Sequence, residues 1–188
     1  MSSSIDSIKS RINKLSEEYY TTNNKHNIFK SNQKKDCAKF ISTNVSINSL
    51  IHNTAYIIRE TNKIYFDYTI FKTYATPELF NQIVEHVKNL NIQAIEKHGS
   101  FEIHVNWATY TVSAHERYKN IFQMFSIAHS NHEYDFSSLI SNIYIYNTPS
   151  IINMVTTFIK PFIEPIVLEK LIIYDKQESN RLLNTLLS

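Results

Sequence analysis

One glycine, Gly99, serves all 188 residues. Glycine is the residue that tolerates left-handed backbone and the close approach of a phosphate. A chain with a single glycine cannot build the loops that need several. The G-x-G-x-x-G dinucleotide turn, the phosphate loop of nucleotide hydrolases and the G-x-S-x-G nucleophile elbow are therefore excluded. One cysteine, Cys37, likewise excludes an internal disulfide framework and a multi-cysteine metal cluster. With 43% hydrophobic and 19% charged residues, the chain lies in the ordinary globular range and is long enough to bury its own core.

The formal net charge of +2 is too small to argue for nucleic acid. Its distribution is uneven: residues 1–40 carry eight Lys/Arg and four Asp/Glu, a local excess of +4. That segment reads as a solvated face that can also meet an anionic membrane surface. The polar start at Met1–Asp6 leads into no apolar leader, and no run of 18 apolar residues follows. The expectation is a soluble cytoplasmic protein that visits membranes transiently.

Periodicity supplies the elements. Ile5, Ile8, Ile12, Leu15 and Tyr19 recur at helical steps, which predicts a helix over 4–20. Residues 33–51 read as one further helix. The runs 54–60 and 64–71 are rich in β-branched and aromatic residues and flank Thr61-Asn62-Lys63, a hairpin pattern. Thr76, Pro77 and Glu78 open a helix whose stripe runs from Leu79 to Ile95, and Gly99 stands where its C-cap belongs. Residues 101–107 alternate as a strand, and Ser113 with Glu116 spells a capping box for the next helix. Strands are expected at 142–146 and 170–174, with helices at 150–163 and 176–187. From residue 54 the order is β-β-α-β-α-β-α-β-α, which implies an α/β fold with a largely parallel, mixed sheet flanked by helices. Residues 1–53 form an N-terminal helical, basic segment, and 54–188 form the main domain.

Residues 142–174 read NIYIYNTPSIINMVTTFIKPFIEPIVLEKLIIY. The strand ending in Asn147-Thr148-Pro149, the long apolar stretch, Lys160-Pro161-Phe162-Ile163-Glu164-Pro165, and Lys170-Leu171 opening a strand follow in register. This succession resembles the CRAL-TRIO lipid-binding domain, the module of phosphatidylinositol transfer proteins. The likeness extends more weakly over 54–188, with Asn106 where the family usually has Asp. It implies an apolar pocket closed by a gate helix and a role in lipid binding or transfer, without catalysis and with no cofactor beyond a bound phospholipid. On that likeness Ile151, Ile152, Met154, Val155, Phe158, Ile159 and Phe162, with Tyr144 and Tyr146, line the acyl pocket. Lys170 meets the headgroup phosphate, for which an ammonium is a suitable point charge. Other family headgroup positions fall on or near Ser138, on Val167, and near Phe101 and Ile103, which argues against phosphatidylcholine. Lys160, Arg59, Lys72, His129, His132 and Arg117 are the basic groups that could replace them around a phosphatidylinositol or phosphoinositide headgroup.

Other chemistries are weaker. His129 and His132 form H-S-N-H, but no third ligand of defined spacing follows, so no metal site is assigned. Cys37 stands among Lys34, Lys35 and Lys39, a setting that lowers a thiol pKa, but no base or oxyanion signature accompanies it. The aromatic residues, 13% of the chain, fall in strands and read as core rather than as a stacking platform for nucleic acid. The leading expectation is a carrier that extracts one phospholipid from a cytoplasmic membrane. The rival is a protein-interaction module of the same fold. A cavity of several hundred Å³ would favour the first, and a collapsed core with an exposed apolar patch the second.

Overall fold

The β-branched and aromatic runs build one five-stranded sheet in the order β1-β2-β3-β4-β5. β1 (Ala55–Ile57) pairs antiparallel with β2 (Lys63–Asp67). β3 (Phe101–Asn106), β4 (Ile140–Tyr146) and β5 (Leu171–Ile173) then add in parallel. The structure, a computed structural model, describes residues 2–23, 30–130, 133–148 and 160–188. Its α/β class and largely parallel sheet agree with the expectation from sequence. The apolar stretch expected as a gate helix lies outside the described residues from 150 to 159, and 160–162 form a 3-10 turn.

Strand order equals chain order, so each parallel crossover steps the same way across the sheet. Right-handed crossovers in one direction place their helices on one face. The helices involved are α4 (Tyr68–Tyr74), α5 (Phe80–His98), α6 (Val112–Ser130), α7 (Phe136–Leu139) and α8 (Pro165–Leu168). Val87, Leu90 and Ile95 of α5 pack with Ile64 and Phe101. Tyr118 and Ile121 of α6 share a cluster with Ile145. Ahead of the sheet, α1 (Ser2–Thr22), α2 (Lys30–Asn44) and α3 (Ile47–Thr54) join the same cluster through Ile8, Ile12, Cys37, Ile41 and Leu50. α9 (Lys176–Leu187) closes the chain, and its Ser179 hydroxyl accepts the Asn147 backbone N–H at 2.7 Å.

Gly99 is the C-cap of α5, at φ 76°, and its N–H donates to Ile95 O at 2.7 Å. That left-handed conformation is the one glycine adopts without penalty. Four local expectations need correction. The helix expected over 33–51 is two helices, because Ser46 caps α3 by accepting the Ser49 N–H at 3.5 Å. The strand expected over 64–71 stops at Asp67, whose Oδ1 accepts from the Thr69 N–H at 2.8 Å and the Thr69 hydroxyl at 2.6 Å. Residues 68–74 turn into helix in spite of their strand-like composition and bury Tyr68, Ile70, Phe71 and Tyr74. The start of α6 is held by Thr111, whose hydroxyl accepts the Ala114 N–H at 3.2 Å, while Glu116 pairs with Lys119 on the surface. Cys37 is buried, and burial pushes its thiol pKa up against the lowering effect of hydrogen bonds with Ser16 and Tyr20.

Asp67 is the junction of this arrangement. It is 3% exposed at its side chain and takes the Lys9 ammonium of α1 on Oδ2 at 2.8 Å. Asp67→Ala removes a cap and leaves Lys9 without its acceptor, so it should lower stability by about 2 kcal/mol. Lys9→Ala, at a side chain 42% exposed, should cost at most about 1 kcal/mol. Urea unfolding of the two variants checks the order; equal losses would refute the capping role of Asp67.

Candidate functional site

Register places two apolar rows side by side on the helix-covered face. Ile64, Ile103, Ile143 and Leu171 form one, and Phe66, Val105 and Ile145 the other. Tyr118, Ile121, Phe122 and Phe125 of α6 stand over these rows, and a cavity of about 280 Å³ remains between them. That volume is near the lower end of small-molecule sites, about 300 Å³. Its lining turns polar where α6 ends and where the chain leads into β4 and β5, at Ser126, His129, Ser130, Ser137 and Glu164.

Lys170 stands behind this polar end. Its ammonium donates to the carbonyls of Ser137 at 2.9 Å, Ser138 at 3.3 Å and Ile140 at 2.7 Å. It ties the entry of β4 to the entry of β5 and keeps a positive charge beside the cavity. His129 lies in the cavity wall. Its Nδ1–H donates to Phe125 O at 2.6 Å, and its Nε2 accepts from the Asn91 amide at 2.7 Å.

The other residues singled out from sequence do not gather here. Lys160 is exposed on the 3-10 turn Lys160–Phe162. Arg59 is exposed in the β1–β2 turn, at the far edge of the sheet from Lys170. Lys72 and Arg117 line a second, polar cavity. Ile151, Ile152, Met154, Val155, Phe158, Ile159 and His132 lie outside the described residues, and Phe162 contributes backbone to the 3-10 turn. Tyr144 and Tyr146, expected in the acyl pocket, sit on the opposite face of the sheet. Strand side chains alternate faces, and the cavity takes Ile143 and Ile145 of β4 instead. Apart from His129, the lining from β2, β3 and α6 was missed. Its alternation is visible in sequence, but not the face that carries a void.

The family model of the CRAL/TRIO domain matches residues 80–186, more than half of the chain. This chain belongs to the CRAL/TRIO domain family. Membership supports lipid binding or transfer as the general role. Among solved structures, the CRAL/TRIO chain is similar to one described as "Crystal structure of Sfh5", at 15% identity and a TM-score of 0.48. The match covers 59% of this chain and 42% of that one, so the chain spans less than half of that structure's length. No curated protein matches it. The family match begins at α5 and runs into α9, so α1–α4 and the hairpin stand before it.

On the opposite face of this CRAL/TRIO sheet, His104 is 3% exposed and stacks on Tyr144 with ring centroids 4.6 Å apart. Its Nδ1 bonds the Tyr146 hydroxyl at 2.8 Å, and its Nε2 meets Glu102 Oε2 at 3.1 Å. Burial pushes the His104 pKa down, with Glu102 opposing. Burial likewise lowers His86, which bonds Ala55 O at 2.8 Å, and His115, beside the Tyr110 hydroxyl at 3.2 Å. Each of the three binds its proton more weakly folded than unfolded. Their contribution is therefore intact above the ordinary histidine value of 6.5 and is lost as pH falls below it towards the folded values. Thermal unfolding should give a lower Tm at pH 5.5 than at pH 7.5. Each pKa unit is worth about 1.4 kcal/mol, or roughly 2–4 °C at this size. A Tm that rises on acidification would contradict the assignment of these rings as neutral.

Proposed function

We propose that this CRAL/TRIO chain binds and carries a single phospholipid, a phosphatidylinositol or a phosphoinositide, taken from the cytoplasmic face of a membrane. The observation that carries the reading is the 280 Å³ cavity, apolar along the sheet and α6 and polar at the end beside Lys170. An acyl chain fits the apolar part, where each buried CH₂ contributes about 0.8 kcal/mol. The headgroup lies at the polar end, among Ser126, Ser130, Ser137 and the imidazole of His129. The Lys170 ammonium, already held by three carbonyls, supplies positive charge behind a phosphate. A void between sheet and helix favours lipid carriage over a protein-interaction module, which needs no cavity. The role is carriage, with the lipid as cargo and without chemistry on it.

The test is incubation with mixed phospholipid vesicles, re-isolation of the protein, and identification of bound lipid by native mass spectrometry. One phospholipid per chain, with an inositol headgroup, is the expected result. Ser126→Trp, which fills the polar end from a half-buried helix position, should reduce uptake at least about tenfold, the effect of losing roughly 1.4 kcal/mol of binding. Its melting curve should stay close to that of the unsubstituted chain. Protein that stays lipid-free with every vesicle composition would overturn the proposal.

A further inference from the structure

The second cavity differs in kind from the first. It has a volume of about 250 Å³ and lies between α1, α2, α4 and the first turn of α6. Lys34, Lys72 and Arg117 all reach it, and no aspartate or glutamate is among its lining residues. Hydroxyls from Ser16, Thr109 and Ser113 complete the wall. Three cations around one void repel each other unless an anion stands among them.

Local bonds leave that demand unmet. The Lys72 ammonium donates to a neutral acceptor, the Thr109 hydroxyl, at 2.6 Å. Burial and the charge of Lys34 both push the Lys72 pKa down, and the opposing charge comes from Asp67. Asp67 already holds Lys9 and Thr69. The Nε of Arg117 is buried with no hydrogen-bond partner among the described residues, while its guanidinium lies 5.6 Å from the Tyr118 ring centroid. Thr109 has φ 68°, a left-handed conformation that a β-branched residue rarely takes. Strain of this sort collects at binding sites. The start of the 19-residue α6 adds the positive end of a helix dipole.

We propose that this cavity is a binding site for a phosphate monoester, distinct from the lipid cavity. Arg117 grips the phosphate through its guanidinium, Lys34 and Lys72 act as point charges, and the surrounding hydroxyls take the rest of the molecule. The topology sets this cluster of cations apart from Lys170. Lys72 and Arg117 follow the C-terminal ends of β2 and β3, whereas Lys170 precedes β5. The six-residue β3 lies between those ends, a span of roughly 20 Å. One small headgroup cannot meet both.

Calorimetric titration with inorganic phosphate and with glycerol phosphate, and sedimentation with phosphatidylcholine vesicles containing phosphatidic acid, test the site. Saturable binding of the soluble probes assigns a soluble ester as the source. Binding confined to the phosphatidic acid vesicles assigns a lipid headgroup, and either result supports the phosphate chemistry. Arg117→Gln should weaken the interaction about tenfold, as expected for one charge-assisted contact. Lys34→Gln, at an exposed helix position where folding is unaffected, should weaken it several-fold. Ser126→Trp should leave it unchanged, which separates this site from the lipid cavity. No interaction with any of the three probes, or binding indifferent to both Arg117→Gln and Lys34→Gln, would overturn the proposal.

Discussion

The direction of the crossovers governs this structure. β2, β3, β4 and β5 add one after another across the sheet, and right-handed connections then lay α5, α6 and α8 on a single face. That face must be apolar because it is covered. It carries Ile64, Ile103, Ile143 and Leu171 in one row and Phe66, Val105 and Ile145 in the next. The other face is met mainly by α9 at the end of β4 and can hold polar rings, with Tyr65, His104 and Tyr144 in one row. The void lies on the covered face, between its two apolar rows and Tyr118, Phe122 and Phe125 of α6.

The two cavities are of similar size and opposite chemistry: the first runs the length of the strands, the second lies past the ends of β2 and β3, and Tyr68 stands in both walls. The walls of the first are apolar along the sheet, and its polar groups collect at the starts of β4 and β5 beside Lys170. The walls of the second are cationic and hydroxylic. Asp67 fixes the element that carries Lys72. It ends β2, caps α4 and anchors α1 through Lys9. In doing so it places Lys72 one helical turn away, facing Lys34 without a carboxylate of their own.

Much of the fold was legible in sequence because it rests on local rules. Gly99 marks a cap that only a left-handed residue closes. The helix expected over 176–187 matches α9 to the residue. Strand alternation separates Tyr144 and Tyr146 from Ile143 and Ile145. The errors came where a polar side chain or a distant element overrode composition. Asp67 turned a strand-forming run into α4, Ser46 divided α2 from α3, and Thr111 displaced the cap expected at Ser113. Cys37 was read among its sequence neighbours, but packing against α1 buries it.

The family, the α/β order and the parity of each strand follow from the sequence alone, because caps, turns and periodicity act over a few residues. Which parity faces a cavity does not. That depends on crossover handedness and on how far α6 stands from the sheet, and both arise only when distant segments pack. The grouping of basic residues depends on packing in the same way. Lys72 and Arg117 share a lipid-headgroup chemistry with Lys170 in sequence, but the length of the strands holds them at the other end of the sheet.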